Sequence, residues 1–392
     1  MKEGWQTKPI GEVFRVVNGG TPKTGTAAFW DGPHQWITPA EMGGLLSPYL
    51  AGSRRTLTDE GLRVGAELVP PQSVILSSRA PIGHLVINEV PMAFNQGCKG
   101  LVPSPAIDTK FAYYFLLANV PLLESLGTGA TFKELSSGKL KEVPFHFPTL
   151  PEQRRIVALL DEAFESIATA KANSEKNLEN ARELFRSEAK SIFLRGGARW
   201  PTKTVDQLST NLDSRRVPIT KSDRQAGEFP YYGASGIVDY VAGYIFDGDT
   251  LLVSEDGANL LARSTPIAFS VSGRYWVNNH AHILKFANMA TQRFVEFYLE
   301  SIPLDEYITG AAQPKLNQKA LNSIPIPIPA TLDEQAEVVD RLERGMELSE
   351  QLQGVYERKL TALDEIKKSL LDQAFTGALT VKSTDRQVAE VA

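Results

Sequence analysis

Two long stretches of the chain carry apolar or small side chains at alternating spacings of four and three residues. This is the heptad pattern of a coiled-coil seam, in which a helix turns one narrow stripe toward a partner helix. We predict two long helices that cover each other by running antiparallel. The seam positions are Ile156, Leu160, Ile167, Leu178 and Leu184 in the first, and Val338, Leu342, Leu352, Tyr356, Leu363, Ile366 and Leu370 in the second.

Both predicted helices begin at similar turns and have polar outer faces. Leu150-Pro-Glu-Gln opens the first and Leu332-Asp-Glu-Gln the second, which places acidic side chains where the helix dipole favours them. Two helices buried in one large core are the alternative, but charged residues such as Glu175 and Lys176 favour exposed spacers. We assign the spacer helices to residues 151–196 and 331–379, followed by a flexible polar tail over residues 380–392.

The chain also contains a tandem repeat. Five pairs of residues recur at a constant offset of 181 positions, and after one inserted residue Phe193 matches Phe375 at an offset of 182. A register held over about sixty residues indicates a duplication rather than chance. The five pairs are Gly129 and Gly310, Leu135 and Leu316, Leu140 and Leu321, Pro144 and Pro325, and Pro148 and Pro329.

Each repeat has a globular part before its helix. Residues 1–150 and 197–330 are rich in glycine, proline and aromatic side chains, with short β-like runs at residues 73–77 and 250–254. The segment Ile324-Pro-Ile-Pro-Ile-Pro329 cannot form a helix or a central strand, so it is expected to be an extended connector. The predicted fold class is α+β: two β-rich globular domains related by pseudo-twofold symmetry and separated by two antiparallel helices.

Composition indicates a cytoplasmic protein without a membrane span. No apolar run reaches the roughly 18 residues that a span needs, residues 1–10 lack the apolar core of a signal peptide, and Cys98 is the only cysteine. The net charge is −5, and residues 326–392 account for all of it with 13 acidic and 8 basic side chains. Any contact with nucleic acid must therefore come from local basic clusters such as Arg54-Arg55 and Arg215-Arg216.

Catalytic motifs are missing from the sequence. Gly138-Lys139 lacks the rest of a phosphate-binding loop, and the glycines of Tyr232-Gly-Ala-Ser-Gly236 do not join a long strand to a helix. There is no Asn-Pro-Pro-Tyr or Asp-Pro-Pro-Tyr tetrapeptide, and His280 and His282 have no nearby cysteine or carboxylate to complete a metal site. We therefore expect no catalytic residue, no metal and no cofactor in this chain.

The glycine-rich turns of both globular parts carry side chains suited to DNA. Asparagine and glutamine pair with adenine, arginine pairs with guanine, and polar groups in tight turns bind phosphate. Any single such motif is more typical of an ordinary turn, and Tyr231-Tyr232 of a core. The candidate DNA contacts are Asn18, Thr21, Lys23, Thr38, Arg54, Arg55, Ser78, Arg79, Asn95, Gln96 and Lys133 in the first repeat, and Ser214, Arg215, Arg216, Tyr231, Tyr232, Ser235, Asn259, Asn278, Asn279, His280 and Lys315 in the second.

The sequence resembles the specificity subunits of Type I restriction-modification systems. The run from Gly129 to Ile156, the segment Leu332-Asp-Glu-Gln and the segment from Ser369 to Leu379 closely resemble the junctions between recognition domains and helices in that family. Residues 14–36 and 215–259 are similar to two classes of recognition domain. One departure is Gln313-Pro-Lys-Leu in the second junction, where the first reads Thr131-Phe-Lys-Glu-Leu.

This resemblance implies a DNA-reading subunit that performs no chemistry. Each target-recognition domain would read half of a bipartite, asymmetric site in double-stranded DNA, and the helices would set the gap. Two modification subunits carrying S-adenosylmethionine would dock on the helices, and restriction subunits would supply translocation and cleavage with ATP and magnesium. The alternatives are the recognition part of a Type II-like bipartite enzyme, a coiled-coil scaffold that does not bind DNA and, less favoured, an independent enzyme.

Overall fold

The computed structural model describes residues 4–45, 47–79, 81–129, 133–310, 312–376 and 378–379. The chain folds into two compact units. The first contains residues 1–174 and 358–392, and the second contains residues 175–357. Each long helix therefore contributes one of its halves to each unit. The predicted tail, residues 380–392, lies outside the described residues.

The first unit is a mixed α/β domain built on two small sheets. Its strands are β1 (Gln6–Pro9), β2 (Phe14–Asn18), β3 (Trp30–Ile37), β4 (Tyr49–Leu50), β5 (Arg55–Leu57), β6 (Val74–Ser78), β7 (Ile82–Asn88), β8 (Met92–Phe94), β9 (Cys98–Pro103) and β10 (Pro144–Phe147). Its helices are α1 (Ile10–Val13), α2 (Pro39–Met42), α3 (Asp59–Gly65), α4 (Thr109–Ala118), α5 (Val120–Leu126) and α6 (Ser137–Glu142), followed by the long helix α7 (Leu150–Gly197).

The second unit repeats this plan. Its strands are β11 (Thr202–Thr204), β12 (Ser209–Asn211), β13 (Ala226–Gly233), β14 (Gly236–Val241), β15 (Phe246–Asp247), β16 (Thr250–Ser254), β17 (Ala268–Val271), β18 (Arg274–Val277), β19 (Ala281–Phe286), β20 (Ile308–Thr309), β21 (Lys315–Leu316) and β22 (Pro325–Pro327). Its helices are α8 (Val205–Leu208), α9 (Asn259–Ala262), α10 (Met289–Ser301), α11 (Gln318–Asn322) and the long helix α12 (Leu332–Thr376).

Sheet topology shows that the two units share one fold. The larger sheet of the first unit has the order β2-β9-β6-β7-β4, and its counterpart has the order β12-β19-β16-β17. In the other multi-stranded sheet of each unit, β5-β3-β8 and β14-β13-β18-β15, the pairs β3/β8 and β13/β18 are both parallel. The duplication seen in the sequence is therefore a duplication of fold, and the predicted α+β class is confirmed.

The proline-rich connectors lie in short two-stranded sheets, as their sequence requires. Strand β10 pairs antiparallel with β1, and β22 pairs antiparallel with β11. The glutamine of each Glu-Gln motif then turns back on the proline that ends its connector. Gln153 Nε2 donates to the carbonyl of Pro148 at 2.9 Å, and Gln335 Nε2 donates to that of Pro329 at 2.8 Å. The repeated motif is thus a fastening between connector and helix.

Within each unit the two long helices run antiparallel. In the second unit, Arg341 pairs with Glu188 at 2.9 Å and the hydroxyl of Ser349 donates to the carbonyl of Ala181 at 2.7 Å, so numbers rise on one helix as they fall on the other. In the first unit, Lys171 Nζ lies 2.7 Å from Asp364 Oδ1. The predicted antiparallel pairing is therefore present in each unit.

Burial agrees with the predicted seam at every position except one. Ile156, Leu160, Ile167, Leu342, Leu363 and Leu370 are buried, and Leu178, Val338, Leu352, Tyr356 and Ile366 are half-buried. Leu184 is wrong, because its side chain is 55% exposed. Phe185 turns inward instead and packs on Phe297, with ring centroids 6.2 Å apart. An α-helix has 3.6 residues per turn, so a strict heptad drifts around it, and here the buried stripe steps from Ala181 to Phe185 and Ala189.

The repeat-related phenylalanines Phe193 and Phe375 anchor the helix ends to the globular cores. Phe193 packs edge-on against Phe294 of α10, with centroids 5.4 Å apart. Phe375 packs against Phe111 and Phe115 of α4, at 5.3 and 5.4 Å. These contacts join the end of α12 to α4, the first helix after β9, and the end of α7 to α10, the first helix after β19. No helix within the described ranges combines the length and apolarity needed to cross a membrane.

Candidate nucleic-acid interface

The candidate DNA contacts of the first repeat gather where several strands end. Strand β2 ends at Asn18, which lies opposite Lys99 near the start of β9. Strand β6 ends at Ser78 beside the same point, and β8 ends at Phe94, just before the turn that leads into β9. We call residues 18–23, 78–79, 95–99 and 133–137 the first rim. Because strand ends meet there, side chains far apart in sequence become neighbours.

Two glycines are required for the first rim to close. A Cβ on Gly19 would lie 1.8 Å from the carbonyl oxygen of Asn95, and one on Gly20 would lie 1.9 Å from that of Gly65. The Gly20 carbonyl accepts the indole N–H of Trp36 at 3.0 Å. The Gly-Gly pair of the sequence is therefore a close backbone approach that holds the following residues against the turn at Asn95.

That turn carries polar side chains in fixed positions. The Oδ1 atom of Asn95 accepts the backbone N–H of Gly97 at 3.0 Å, which forms an Asx turn. The hydroxyl of Thr21 donates to the side-chain oxygen of Gln96, and the hydroxyl of Ser137 donates to that of Asn18. An exposed glutamine held by a second side chain is preorganised for a partner.

Charged residues lie beneath this turn. Arg79 forms an ion pair with Glu134, and the two residues also face each other in an isolated β-bridge. Lys99 is 6% exposed, and its pKa is lowered by burial and by the charge of Arg79, while Glu134 opposes the shift. The positive charge of the first rim is thus partly neutralised within the domain.

A separate cationic feature lies on the smaller sheet of the first unit. The guanidinium of Arg55 stacks over the Trp30 ring, 3.5 Å from its centroid, and lies 5.8 Å from that of Trp36. Arg55 and the neighbouring Arg54 are both exposed. Stacking fixes the plane of the guanidinium and leaves its N–H edge free for a phosphate or a base.

The second unit contains the equivalent rim. Ser254 at the end of β16 faces Ala281 at the start of β19, as Ser77 faces Cys98 in the first unit. We call residues 213–216, 233–235, 254–259, 277–282 and 315–316 the second rim. Asn278 Oδ1 accepts the backbone N–H of His280 at 2.7 Å, which repeats the Asx turn of the first rim.

Further polar contacts fix the edge of the second rim. The imidazole of His280 lies 2.9 Å from the Asp256 carboxylate. The amide of Asn259 donates to the hydroxyl of Ser235 at 3.5 Å and to the carbonyl of Thr265 at 2.9 Å. The hydroxyl of Ser254 donates to the carbonyl of Ala234. The bonds from Ser254 and Asn259 connect the β13–β14 hairpin to the end of β16 and to the start of α9.

A buried charge network lies under the second rim. Arg216 Nη1 is 2.6 Å from Glu255 Oε2, and Lys315 Nζ is 3.1 Å from Glu255 Oε1. His282 is 1% exposed, with Nδ1 2.5 Å from Asp213 Oδ2 and Nε2 2.7 Å from the Leu316 carbonyl. Both ring nitrogens thus have an oxygen atom within hydrogen-bond distance.

The acids of this network have lowered pKa values. Burial alone would raise the pKa of Asp213, but the hydrogen bond and charge of His282 more than offset burial and lower it. Burial likewise opposes ionisation of Glu255, whereas Arg216, His282 and Lys315 together lower its pKa. Both carboxylates are therefore ionised at neutral pH, and the adjacent cations of Arg216 and Lys315 compensate their charge.

Asp213, Glu255 and His282 also meet a geometric criterion for a metal site, since their potential ligand atoms lie within 4.8 Å of one another. The chemistry of the surroundings favours another role. Both oxygens of Glu255 accept from cationic side chains, and a divalent ion would have to displace Arg216 and Lys315. This donor set is built as an ion-pair network.

Comparison with known families identifies both globular parts of the chain. A family model described as "Type I restriction modification DNA specificity domain" matches residues 2–180 and again residues 198–354. The chain belongs to this family. Each of its two units contains one target-recognition domain of a Type I specificity subunit, which the family model matches together with part of the long helix that follows it.

Named relatives carry the same description. The MjaIX specificity subunit of Methanocaldococcus jannaschii is 30% identical over 47% of this chain and 43% of its own length. A putative specificity subunit of Haemophilus influenzae is 36% identical over 36% of both chains. These two alignments span less than half the length of the relatives. The EcoprrI specificity subunit of Escherichia coli is 23% identical over 82% of this chain and 83% of its own.

Solved structures share the fold over nearly the whole chain. A chain from a study of complex assembly and conformational transition in a type I R-M system superposes with a TM-score of 0.79 at 14% identity, covering 97% of this chain and 99% of that one. The HsdS subunit from Thermoanaerobacter tengcongensis gives a TM-score of 0.61 at 14% identity, covering 97% and 98%.

Most of the proposed contact residues of the two recognition domains are accessible. The exposed ones are Asn18, Lys23, Arg54, Arg55, Gln96, Lys133, Ser214, Arg215, Ser235, Asn279, His280 and Lys315, and the half-buried ones are Thr21, Thr38, Arg79, Asn95, Arg216, Tyr232 and Asn259. Thr38 caps α2 and bonds to Glu41, and the Arg215 guanidinium lies 5.2 Å from the Phe246 ring. Asn278, in contrast, is buried, with only 8% of its surface exposed.

Two of the proposed contacts are closed off from solvent. Tyr231 is 1% exposed, with its hydroxyl bonded to Ile219 and its ring under Arg224. Ser78 is fully buried, and its hydroxyl has no hydrogen-bond partner within the described part of the chain. Both side chains are buried in the interior of their domains, so neither can contact DNA in this conformation. Arg216 is accessible only in part, because its guanidinium is engaged by Glu255.

Sequence reasoning missed the charged residues that support the rims. Asp213, Glu255 and His282 are separated by up to 69 positions, and no local spacing connects them. Glu134 and Lys99 were missed in the first domain for the same reason. The sequence did contain one signal. Acidic residues directly follow the apolar run at residues 250–254, and a pair of arginines occurs elsewhere in the same repeat. This combination is typical of a buried ion pair.

Proposed function

We propose that each recognition domain binds double-stranded DNA at its rim and reads one half of a bipartite, asymmetric site. The observation that carries this proposal is the pair of equivalent Asx turns, Asn95–Gly97 and Asn278–His280, which place amide side chains at corresponding strand ends. Amide groups recognise adenine in the major groove. The surrounding side chains differ between the two rims, so the two half-sites should differ in sequence.

The rims are poor in uncompensated positive charge. Arg79 and Arg216, two of the arginines at the rims, are paired with acids of their own domains. Non-specific affinity for DNA comes mainly from cations that contact phosphates. We therefore infer that partner subunits supply part of the phosphate binding and that the isolated chain binds its site weakly at physiological salt.

The catalytic functions are assigned to other chains. We propose that two modification subunits carrying S-adenosylmethionine dock on α7 and α12 and methylate adenines, and that restriction subunits bring ATP, magnesium and the translocation and cleavage activities. In this proposal the chain is a non-catalytic, cytoplasmic subunit without a cofactor of its own, and the paired helices set the gap between half-sites.

Methylome sequencing tests the proposal directly. The chain is produced with its modification subunit in a host without adenine methylation, and methylated adenines are mapped. We expect one bipartite asymmetric motif with a fixed spacer, and an Asn95→Ala variant should relax one half of that motif only. Methylation without a bipartite motif, or unaltered by the loss of this chain, would contradict the proposal.

A further inference from the structure

The β13–β14 hairpin of the second recognition domain presents the exposed apolar side chain of Val238 beside the second rim. Tyr231 is paired with Asp239 and Tyr232 with Ile237, so Val238 is an extra residue that forms a β-bulge. Its side chain is 54% exposed. Bulges turn a side chain away from the regular alternation of a strand, and they are common beside functional sites.

Val238 lies next to the Asx turn of the second rim. A Cβ built on Gly233 would be 2.8 Å from Cγ1 of Val238 and 3.3 Å from Nδ2 of Asn278. The valine methyl and the asparagine amide therefore flank the same glycine. The absence of a side chain at Gly233 lets the two come together, and the bonds from Ser254 and Asn259 hold the hairpin in place.

An exposed methyl group beside an amide matches one feature of the DNA major groove. The C5-methyl of thymine is the apolar group displayed there, and in an A·T pair it lies beside the adenine edge that amides recognise. We propose that Val238 contacts a thymine methyl in the half-site read by the second recognition domain. This inference rests on the proposed function and assigns a specificity-determining residue to it.

The test compares thymine with uracil, which lacks only the methyl group. The complex of this chain with its modification subunit is titrated with duplexes carrying the mapped site, with thymine replaced by uracil in one half-site at a time. We expect about fourfold weaker binding for one half-site, the factor that corresponds to burying one methyl-sized group. Val238→Ala should abolish this difference. Val64→Ala, which removes an equally exposed valine from α3 of the first domain, should retain it.

Several outcomes would overturn the inference and leave the proposed function intact. These are a bipartite site with no uracil effect in either half, an effect that persists in the Val238→Ala complex, and a half-site for the second domain without an A·T pair. A Val238→Ala variant that loses its modification subunit instead of its response to uracil would show that the hairpin binds protein. A complex with no preference for a bipartite site would contradict the proposed function itself.

Discussion

Glu134 and Lys315 occupy the same position in the two recognition domains and carry opposite charges. Each forms an isolated β-bridge with a residue just beyond the end of a central strand. Glu134 pairs with Arg79, after β6, and Lys315 pairs with Asp256, after β16. The next residue in each domain is also equivalent. The backbone N–H of Leu135 donates to the backbone carbonyl of Ser78 at 2.9 Å, and that of Leu316 donates to the backbone carbonyl of Glu255 at 2.8 Å.

This inversion separates what the duplication conserved from what it changed. The backbone framework of the rim is the same in both domains, whereas its charges are exchanged across the bridge. Such a change alters the electrostatic potential that DNA meets without altering the fold. Two rims of one design can therefore select different half-sites.

His282 should be the most sensitive residue of the second rim for stability. Replacing it with alanine leaves the buried carboxylate of Asp213 and the carbonyl of Leu316 without their imidazole partner. Leaving a buried charged group without its hydrogen-bond partner typically costs about 3 kcal/mol. We expect a loss of that size for His282→Ala in urea unfolding of the chain. His280→Ala removes an exposed imidazole and should cost less than about 0.5 kcal/mol. Equal effects of the two substitutions would contradict the network.

The same network should make the second domain sensitive to acid. The pKa values of Asp213 and Glu255 are lowered on folding, so their stabilising contribution is complete above the unfolded values of about 4. It is lost as the pH falls from about 4 through the lower folded pKa values. The protection of amides in β16 and β19 against hydrogen exchange, relative to their intrinsic rates at each pH, should fall in this range. The double variant Asp213→Asn and Glu255→Gln should show a flatter pH dependence, and an unchanged slope would contradict the assignment.

Arg55 should contribute to DNA affinity without contributing to sequence choice. A cation that contacts a phosphate adds about one unit to the dependence of log binding constant on log salt. We expect Arg55→Ala to lower that slope by about 1 for the assembled complex, on specific and random duplexes alike. Arg55→Lys keeps the charge and should retain the slope while losing the stacking on Trp30. Unchanged salt dependence in Arg55→Ala would remove this residue from the interface.

The inward turn of Phe185 can be tested against the exposed Leu184. Phe185→Ala should destabilise the second unit by about 2 kcal/mol, less than for a fully buried phenylalanine because this side chain is half-buried. Leu184→Gln should change the free energy of unfolding of the isolated chain by less than about 0.5 kcal/mol. A larger loss of stability for Leu184→Gln than for Phe185→Ala would instead support the strict heptad, with Leu184 in the seam.

The length of the paired helices should set the spacer of the DNA site. Four extra residues in each of α7 and α12 lengthen the pair by about 6 Å, since an α-helix rises about 1.5 Å per residue. This corresponds to about two base-pair steps. Methylome sequencing should then show a longer spacer with both half-sites unchanged. A spacer that stays constant in a variant that still methylates would contradict the role of the helices.

The sequence by itself determined the duplication, the two long helices, their antiparallel pairing and the fastening motifs at their starts. These features depend on local periodicity or on residues that recur at a fixed offset, and both can be read along the chain. The resemblance to Type I specificity subunits followed from the same junction residues, such as Leu150-Pro-Glu-Gln, and the family comparison confirmed it.

Only the tertiary structure decided which polar residues reach solvent and which hold the rims together. Tyr231 and Ser78 were candidate DNA contacts and are buried. Asp213 and Glu255 were not predicted to have a role, and His282 was considered only as a metal ligand, yet the three form the supporting network. Burial and ion pairing depend on strands that meet across 50 or more positions, as with Arg79 and Glu134, which are 55 residues apart. Such contacts cannot be predicted from local spacing, because only the packing of the sheets brings these residues together.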